Sequence, residues 1–166
     1  MKRTGVEPGN RIIVRSMARG DVPRVVETLS ATPEFSKDDI SIFMECIEEY
    51  LNGSEEYTFI CAVRDGAILG MICYGDAPIA ERVVDTYWIA VRKESRMGGI
   101  GKMLMEKAEE NCRKANKRMM LVDTESAEEY AKARRFYENC GYIEMSRLKD
   151  YYAPGNDRVT YGKRLL

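Results

Sequence analysis

The run Arg96-Met97-Gly98-Gly99-Ile100-Gly101 constrains this chain more than any other. It lies between a strand-like stretch ending at Val91 and an amphipathic stretch beginning near Ile100. A chain that leaves a strand, turns through glycines and enters a helix presents backbone N–H groups with no acceptor inside that helix. Those donors and the positive end of the helix dipole suit a phosphate. Arg96 adds a cation at the same place. The first expectation is therefore an anionic ligand bearing phosphate.

Composition narrows the chemistry. The 166 residues suit one domain with a sizeable core. We expect a single domain over 11–166 behind a loosely ordered, polar N-terminus, 1–10, which has no hydrophobic segment of a signal peptide. The net charge of −1 argues against a general nucleic-acid binder. No apolar run approaches the roughly 20 residues of a membrane span. Histidine is absent, which removes Ser–His and Cys–His nucleophile pairs and every histidine metal site. No metal is expected. The five cysteines are dispersed and form no C-x-x-C pair, as in reduced thiols of a cytoplasmic protein, and they read as small buried hydrophobes.

Periodicity gives the element order. Ile12 to Arg15 reads as a strand. Asp21 reads as an N-cap, with Pro23 in the first turn and Val22, Val25, Val26 and Leu29 as an apolar stripe. Ser36 or Asp38 caps a second helix carrying Ile40, Phe43, Met44, Ile47 and Leu51, which Gly53 ends. Tyr57 to Val63 and Ala67 to Tyr74 form a hairpin across Asp65-Gly66. Val83 to Val91 is a fourth strand. A helix from Ile100 and a strand from Met119 to Val122 follow. Ala127 to Asn139 is a helix stopped by Gly141, and two strands, Tyr142 to Leu148 and Arg158 to Leu165, close the chain. The order predicts an α/β (mixed α+β) fold with a central mixed sheet and helices on its faces.

Two familiar phosphate motifs fail. A dinucleotide fingerprint starting at Gly99 needs a glycine at Leu104, and a P-loop ending at Gly101-Lys102 needs Ser or Thr at Met103. A third fits. Arg96-x-x-Gly99-x-Gly101 after a strand, followed later by Ala133-Arg134-Arg135-Phe136-Tyr137-Glu138-Asn139-Cys140-Gly141-Tyr142, resembles the Gcn5-related N-acetyltransferase (GNAT) superfamily. The first stretch is similar to that superfamily's R/Q-x-x-G-x-G/A loop, and the second to its A-x-x-F/L-Y-x-x-x-G-F/Y helix. The element order also matches, so the resemblance covers about Ile12 to Leu166. It implies a GNAT-like acyl-CoA N-acyltransferase fold, whose mostly antiparallel sheet splays at its fourth and fifth strands.

The resemblance also implies roles. Acetyl-CoA is the expected cosubstrate. Its pyrophosphate would lie on the backbone of Arg96, Met97, Gly98, Gly99, Ile100, Gly101 and Lys102, and its pantetheine along Ile89, Ala90 and Val91. The Ile89 amide would polarise the thioester carbonyl and stabilise its oxyanion. Tyr137 matches the general-acid tyrosine that returns a proton to the departing thiolate, its phenol having a pKa of about 10. Phe136 should face the core. Asp85 stands where histone-acetylating members carry a catalytic glutamate; Glu34, Asp38, Glu45 and Asp76 are alternative bases. A lysine-like amine needs about 4–5 kcal/mol to reach its free base at neutral pH, and a peptide α-amine only about 1 kcal/mol. Tyr130 replaces the asparagine that often contacts pantetheine, and Met97-Gly98 stands where basic residues are common, so fewer side-chain phosphate contacts are expected. Asp123-Thr124-Glu125-Ser126 is expected to cap the following helix. Tyr151-Tyr152 resembles the tyrosines that grip substrate backbone in peptide N-terminal acetyltransferases.

The sequence thus predicts an acyltransferase moving an acetyl group from acetyl-CoA to a primary amine by direct attack in a ternary complex. The acceptor expected is a small-molecule amine or a peptide N-terminus. A lysine acetyltransferase and a non-catalytic CoA-binding regulatory module are the alternatives. The expected partners are acetyl-CoA and an amine, with no nucleic acid and no membrane, and allow a homodimer.

Overall fold

Ser36 begins a helix as its spacing requires: its hydroxyl accepts from the Asp39 N–H at 3.1 Å, and the Asp39 carboxylate accepts from the Ser36 N–H at 2.8 Å. In the computed structural model, which describes residues 11–166, this helix, α2, covers Lys37–Leu51. The expected loose N-terminus, 1–10, lies outside the described residues. The other helices are α1 (Val22–Ser30), α3 (Ile100–Lys114) and α4 (Ala131–Asn139). The strands are β1 (Ile13–Ser16), β2 (Thr58–Arg64), β3 (Ala67–Asp76), β4 (Val83–Val91), β5 (Met119–Glu125), β6 (Ile143–Ala153) and β7 (Asn156–Arg164). They form a seven-stranded sheet in the order β1-β2-β3-β4-β5-β7-β6. β4 and β5 run parallel, while β1–β2, β5–β7 and β6–β7 run antiparallel. Asp65 (φ +50°) and Gly66 (φ +76°) make the two-residue turn between β2 and β3.

The described chain divides into two compact units. The first comprises the residues up to Cys73 with Ile89–Leu104, and the second Tyr74–Trp88 with Met105–Leu166.

In the first unit a strand glycine sets the packing. A Cβ on Gly70 of β3 would meet the Ala90 carbonyl oxygen at 2.8 Å, Ile100 Cγ2 at 3.2 Å and Leu104 Cδ1 at 3.2 Å. The Arg92 N–H bonds to the neighbouring Leu69 carbonyl at 2.9 Å. The end of β4 and the first turns of α3 therefore rest on one point of β3. Asp21 differs from its expected role. Its carboxylate does not cap α1 but takes both guanidinium nitrogens of Arg15, at 2.7 and 2.9 Å, and the Ala18 N–H at 2.8 Å. A bidentate partner outcompetes a single helix amide. The Arg15 hydrogen bonds hold the Asp21 carboxyl below the usual aspartate range.

In the second unit a buried charge does comparable work. Glu109 of α3 is 3% exposed. It accepts from Lys163 of β7 at 3.0 and 2.8 Å and from Arg113 at 3.2 Å. Lys163 also donates to the Cys140 carbonyl at the end of α4, 2.9 Å away. One ammonium thus joins α3, α4 and β7.

The last hairpin departs from expectation. β6 runs to Ala153, so Tyr151 and Tyr152 lie on a strand, and the connection shrinks to Pro154-Gly155. Asp150 makes this continuation workable. It sits at φ +53°, its N–H bonds to the Asp157 carboxylate at 3.1 Å, and its own carboxylate takes the Gly155 N–H at 2.6 Å. These bonds replace ladder partners across a bulge. Asp123, Glu125 and Ser126 likewise cap no helix. Their side chains bind Thr160, Asn156 and the Asp157 N–H of β7.

Gly70→Ala is expected to cost about 1–3 kcal/mol, because the obstructing atom is backbone oxygen; calorimetry should show a lower Tm with the fold retained by circular dichroism. Glu109→Ala should cost about 1–3 kcal/mol by leaving the half-buried Lys163 ammonium without its counter-ion. Lys163→Met in the same background should recover part of that loss in a denaturation series.

Candidate functional site

The glycine-rich run folds more tightly than a plain loop. Lys93–Gly98 makes a 3-10 turn, Gly99 takes the left-handed conformation at φ +71°, and α3 starts at Ile100. Only Gly99 needs a glycine for its backbone. The Met103 N–H, bonded to the Gly99 carbonyl at 3.0 Å, is the first bond of the α3 ladder. The amides of Ile100 and Gly101 precede it, and Lys102 lies in the same turn. Ile100 is buried and its side chain fixes the turn against β3, while Met97 is 99% exposed. A helix start of this kind, braced against β3, suits an anion.

Arg96 is not free at this turn. Its Nε donates to the Val91 carbonyl at 3.3 Å and its Nη2 to Glu34 at 3.5 Å. Arg92 pairs similarly with Glu27 of α1 at 3.4 Å. Beside the Arg92–Glu27 pair lies a cavity of about 160 Å³ lined by Glu27, Thr28, Ala31, Thr32 and Arg92–Glu94. Such exposed pairs are worth about 0–1 kcal/mol, so an arriving phosphate can displace Glu34. Glu34, an alternative base by sequence, is thereby placed as the partner of Arg96. Ile89, Ala90 and Val91 form the end of β4, with Ala90 buried.

The second unit carries the candidate acid and base. Tyr137 of α4 is 6% exposed, packed edgewise on Phe136 (5.4 Å between centroids) and against Tyr142 (6.4 Å) and Tyr161 (6.1 Å). Among the described residues its hydroxyl makes no hydrogen bond. Burial pushes its pKa up, which keeps the phenol protonated and able to donate. Phe136 is only half-buried, so Tyr137 and not Phe136 faces the core. Arg134 braces the start of α4 by donating to the Glu125 and Ala127 carbonyls at 2.7 and 2.8 Å.

Asp85 is half-buried on β4. Burial, then the charge of Asp123, raises its pKa. Asp123 itself accepts from Thr160 at 2.5 Å. Tyr151 and Tyr152 meet edge to face at 4.9 Å, with the Arg158 guanidinium 4.7 Å over the Tyr151 ring. Asp123 and Glu125 are among the charges that raise the Tyr152 pKa, after burial.

Strand register assigns faces. Asp85 pairs with Leu121 and Leu121 with Gly162, whereas Thr86 pairs with Val122 and Val122 with Tyr161. Neighbouring side chains point to opposite sides of a strand. Asp85 therefore shares a face with Asp123 and Thr160, and Thr86 shares the other with Tyr161, the ring on which Tyr137 packs. Thr86↔Val122 is the last registered pair of β4 with β5, although β4 continues to Val91 and β5 to Glu125. Thr86 is 6% exposed and its hydroxyl has no partner among the described residues. Burying such a group costs about 1–3 kcal/mol. Nothing in the sequence singles out Thr86 beyond its place in a β-branched strand. Gly70 was legible as a glycine inside a strand pattern, which marks close backbone approach.

The thiols and remaining groups fit a core. Cys46, Cys61, Cys73 and Cys112 are buried, and burial pushes Cys61 up to about 12 and Cys112 up to about 11. Among the described residues, no group of three or more carboxylate or thiol side chains is placed to hold a metal. No helix among them is long and apolar enough to cross a membrane.

Comparison with known proteins agrees with this geometry. The family model described as Acetyltransferase (GNAT) family matches residues 24–142. No curated protein matches the sequence. Among solved structures, an acetyltransferase assigned to the GNAT family from Desulfovibrio desulfuricans is 28% identical, with a TM-score of 0.91 over 94% of this chain and 100% of that one. The ribosomal-protein-S18-alanine N-acetyltransferase from Escherichia coli has a TM-score of 0.76 at 16% identity, covering 93% of this chain and 94% of that one. An aminoglycoside 6'-N-acetyltransferase complexed with coenzyme A has a TM-score of 0.74 at 16% identity, covering 93% and 97%. The last two share the fold alone. With a family model spanning most of its length and the same strand–turn–helix at its centre, this chain belongs to the GNAT family of acetyltransferases.

Proposed function

We propose that the protein is an acetyl-CoA-dependent N-acetyltransferase acting on a primary amine by direct attack in a ternary complex. The observation that carries this reading is Tyr137: a buried phenol with no hydrogen-bond partner among the described residues and a raised pKa, on the helix whose motif supplies the general acid. Acetyl-CoA, when bound, supplies an activated acetyl group as a thioester. The amides of Ile100 and Gly101, with Arg96, Met97, Gly98, Gly99 and Lys102 around them, hold its pyrophosphate through the helix start. Arg96 exchanges Glu34 for phosphate. Ile89–Val91 lends backbone to the pantetheine, and the Ile89 N–H polarises the carbonyl. Asp85, directly or through water, takes the proton from the incoming ammonium. Its raised pKa makes it a better proton acceptor than an ordinary aspartate. Tyr137 donates to the leaving thiolate.

A small-molecule amine or a peptide N-terminus is the acceptor we favour. The aromatic pair Tyr151-Tyr152 beside Asp123 and Glu125 suits a cationic group with an apolar stem. A thiol-release assay with acetyl-CoA against a panel of amines and short peptides tests the reading. Turnover on a member of the panel supports it. Acetyl-CoA binding without turnover on any member favours a regulatory CoA-binding module.

Tyr137→Phe should lower kcat about 10- to 100-fold with little change in the KM for acetyl-CoA, since only proton donation is removed. Full turnover in this variant would withdraw the role. Asp85→Asn should also lower kcat, and it should raise Tm at pH 7. The sign follows from the raised folded-state pKa: between about 3.9, the unfolded value, and that raised value the native state holds more protons, so stability falls as pH rises. The asparagine variant lacks this loss, and its advantage should vanish below the unfolded pKa in a Tm–pH series.

A further inference from the structure

Within the second unit, α3 and α4 meet the sheet on one side. Tyr137 of α4 packs on Tyr161, Glu109 of α3 takes Lys163, and these two residues of β7 point the same way. The other side carries Gly162 of β7, with Leu121 opposite it on β5 and Ile143 opposite it on β6. A Cβ on Gly162 would meet Leu121 Cδ2 and Met145 Cγ, each at 2.8 Å, so both side chains lie down over the glycine. They make a flat apolar floor rather than a pocket. The floor opens outward: Ile143 is 63% exposed, and Leu148, opposite Arg158, is 49% exposed. β6 is the last strand of the sheet, and all eleven of its residues are exposed. An apolar patch of this kind at a sheet edge marks an association surface.

Charge says what covers it. Arg164, exposed, lies on the same side as Gly162 and two residues beyond it along β7. Two residues before Gly162 comes Thr160, opposite the exposed Asp123, and then Arg158, opposite Glu125. Arg158 sits over the Tyr151 ring at 4.7 Å and 3.9 Å from Asp123. This side of the sheet therefore runs from a positive end, across the apolar floor, to an end with two carboxylates and one guanidinium. Turned end for end, the pattern complements itself. Arg164 and Asp123 stand at equal steps on either side of Gly162, each roughly 7 Å along the strands. We propose that this side of β6 and β7 is the contact between two copies of the chain, packed face to face and antiparallel about a twofold axis at the level of Gly162. Arg164 of each copy then meets Asp123 of the other, and the two flat floors, with Ile143 against Ile143, close between them. The contact is centred on the two outermost strands, and β4 with Asp85 lies two strands inward of β7.

Sedimentation of the full chain over a range of micromolar concentrations tests this. Wild type should sediment at twice the mass of one chain. Ile143→Glu should keep the wild-type circular dichroism, since that side chain is exposed. It should raise the dimer dissociation constant about tenfold or more, because it sets two like charges against each other at the axis. Arg164→Glu and Asp123→Arg should each weaken the dimer several fold. Their combination should restore it to within a few fold, because the same pair re-forms with its signs exchanged. A wild type that stays monomeric throughout would overturn the proposal and leave this surface to a different partner. A dimer indifferent to Ile143→Glu uses another surface and would overturn it equally, as would a combined variant no tighter than the weaker single one.

Discussion

The glycine-rich turn before α3 depends on a missing side chain. Gly70 lets the Ala90 carbonyl, Ile100 and Leu104 close onto β3 at distances that any Cβ would forbid. Without that approach the end of β4 and the start of α3 would have no common floor. The amides of Ile100 and Gly101 would then lose their fixed aim. Glycine at this place has an entropic cost in the unfolded chain and contributes no side-chain burial. What it secures is position, which a phosphate site needs because hydrogen-bond donors act only over a few tenths of an ångström. The flanking ion pairs, Arg92–Glu27 and Arg96–Glu34, add little strength but set the turn against α1 and the segment after it.

The second unit solves a different problem. Its α3, α4 and β7 meet around charge rather than around an absence. The buried Glu109 would be costly alone, and it is tolerable because the half-buried Lys163 reaches both its oxygens while also donating to the Cys140 carbonyl. Beside that satisfied network the Tyr142 hydroxyl has no hydrogen-bond partner among the described residues, and neither has the buried hydroxyl of Thr86. Burying such groups unpaired costs about 1–3 kcal/mol each, in contrast to the fully paired charges around them.

Much of this was legible in the sequence. β4 has the limits its β-branched run implies, Ser36 caps α2, and Asp65-Gly66 turns the hairpin. These features are local: a turn needs positive φ and a cap needs one hydroxyl, and neither depends on distant residues. The failures share a cause. Asp21, Asp123, Glu125 and Ser126 read as helix caps, but each found a partner remote from the helix it was to cap, in Arg15 or along β7. Short polar side chains take the best donor in reach, and reach is set by the sheet. The length of β6 was missed because Asp150 continues the strand through a left-handed bulge that no periodicity announces. Of the candidate site, the glycine turn and Tyr137 came from motifs. Thr86 could not be found that way, since its interest lies in what it fails to touch.

The register of β4 and β5 adds a constraint that motif reading lacks. Asp85 and Thr86 are consecutive, yet they face opposite sides of the sheet, Asp85 with Asp123 and Thr86 with Tyr161. Since Tyr137 packs on Tyr161, the proposed acid and the proposed base lie on opposite faces. An intact ladder would separate them by the thickness of a sheet, and no single reacting centre could touch both. The registered pairing of β4 with β5 ends immediately after these two residues. Both residues carry a cost to stability: burial destabilises the Asp85 carboxylate, and the Thr86 hydroxyl is buried without a partner among the described residues.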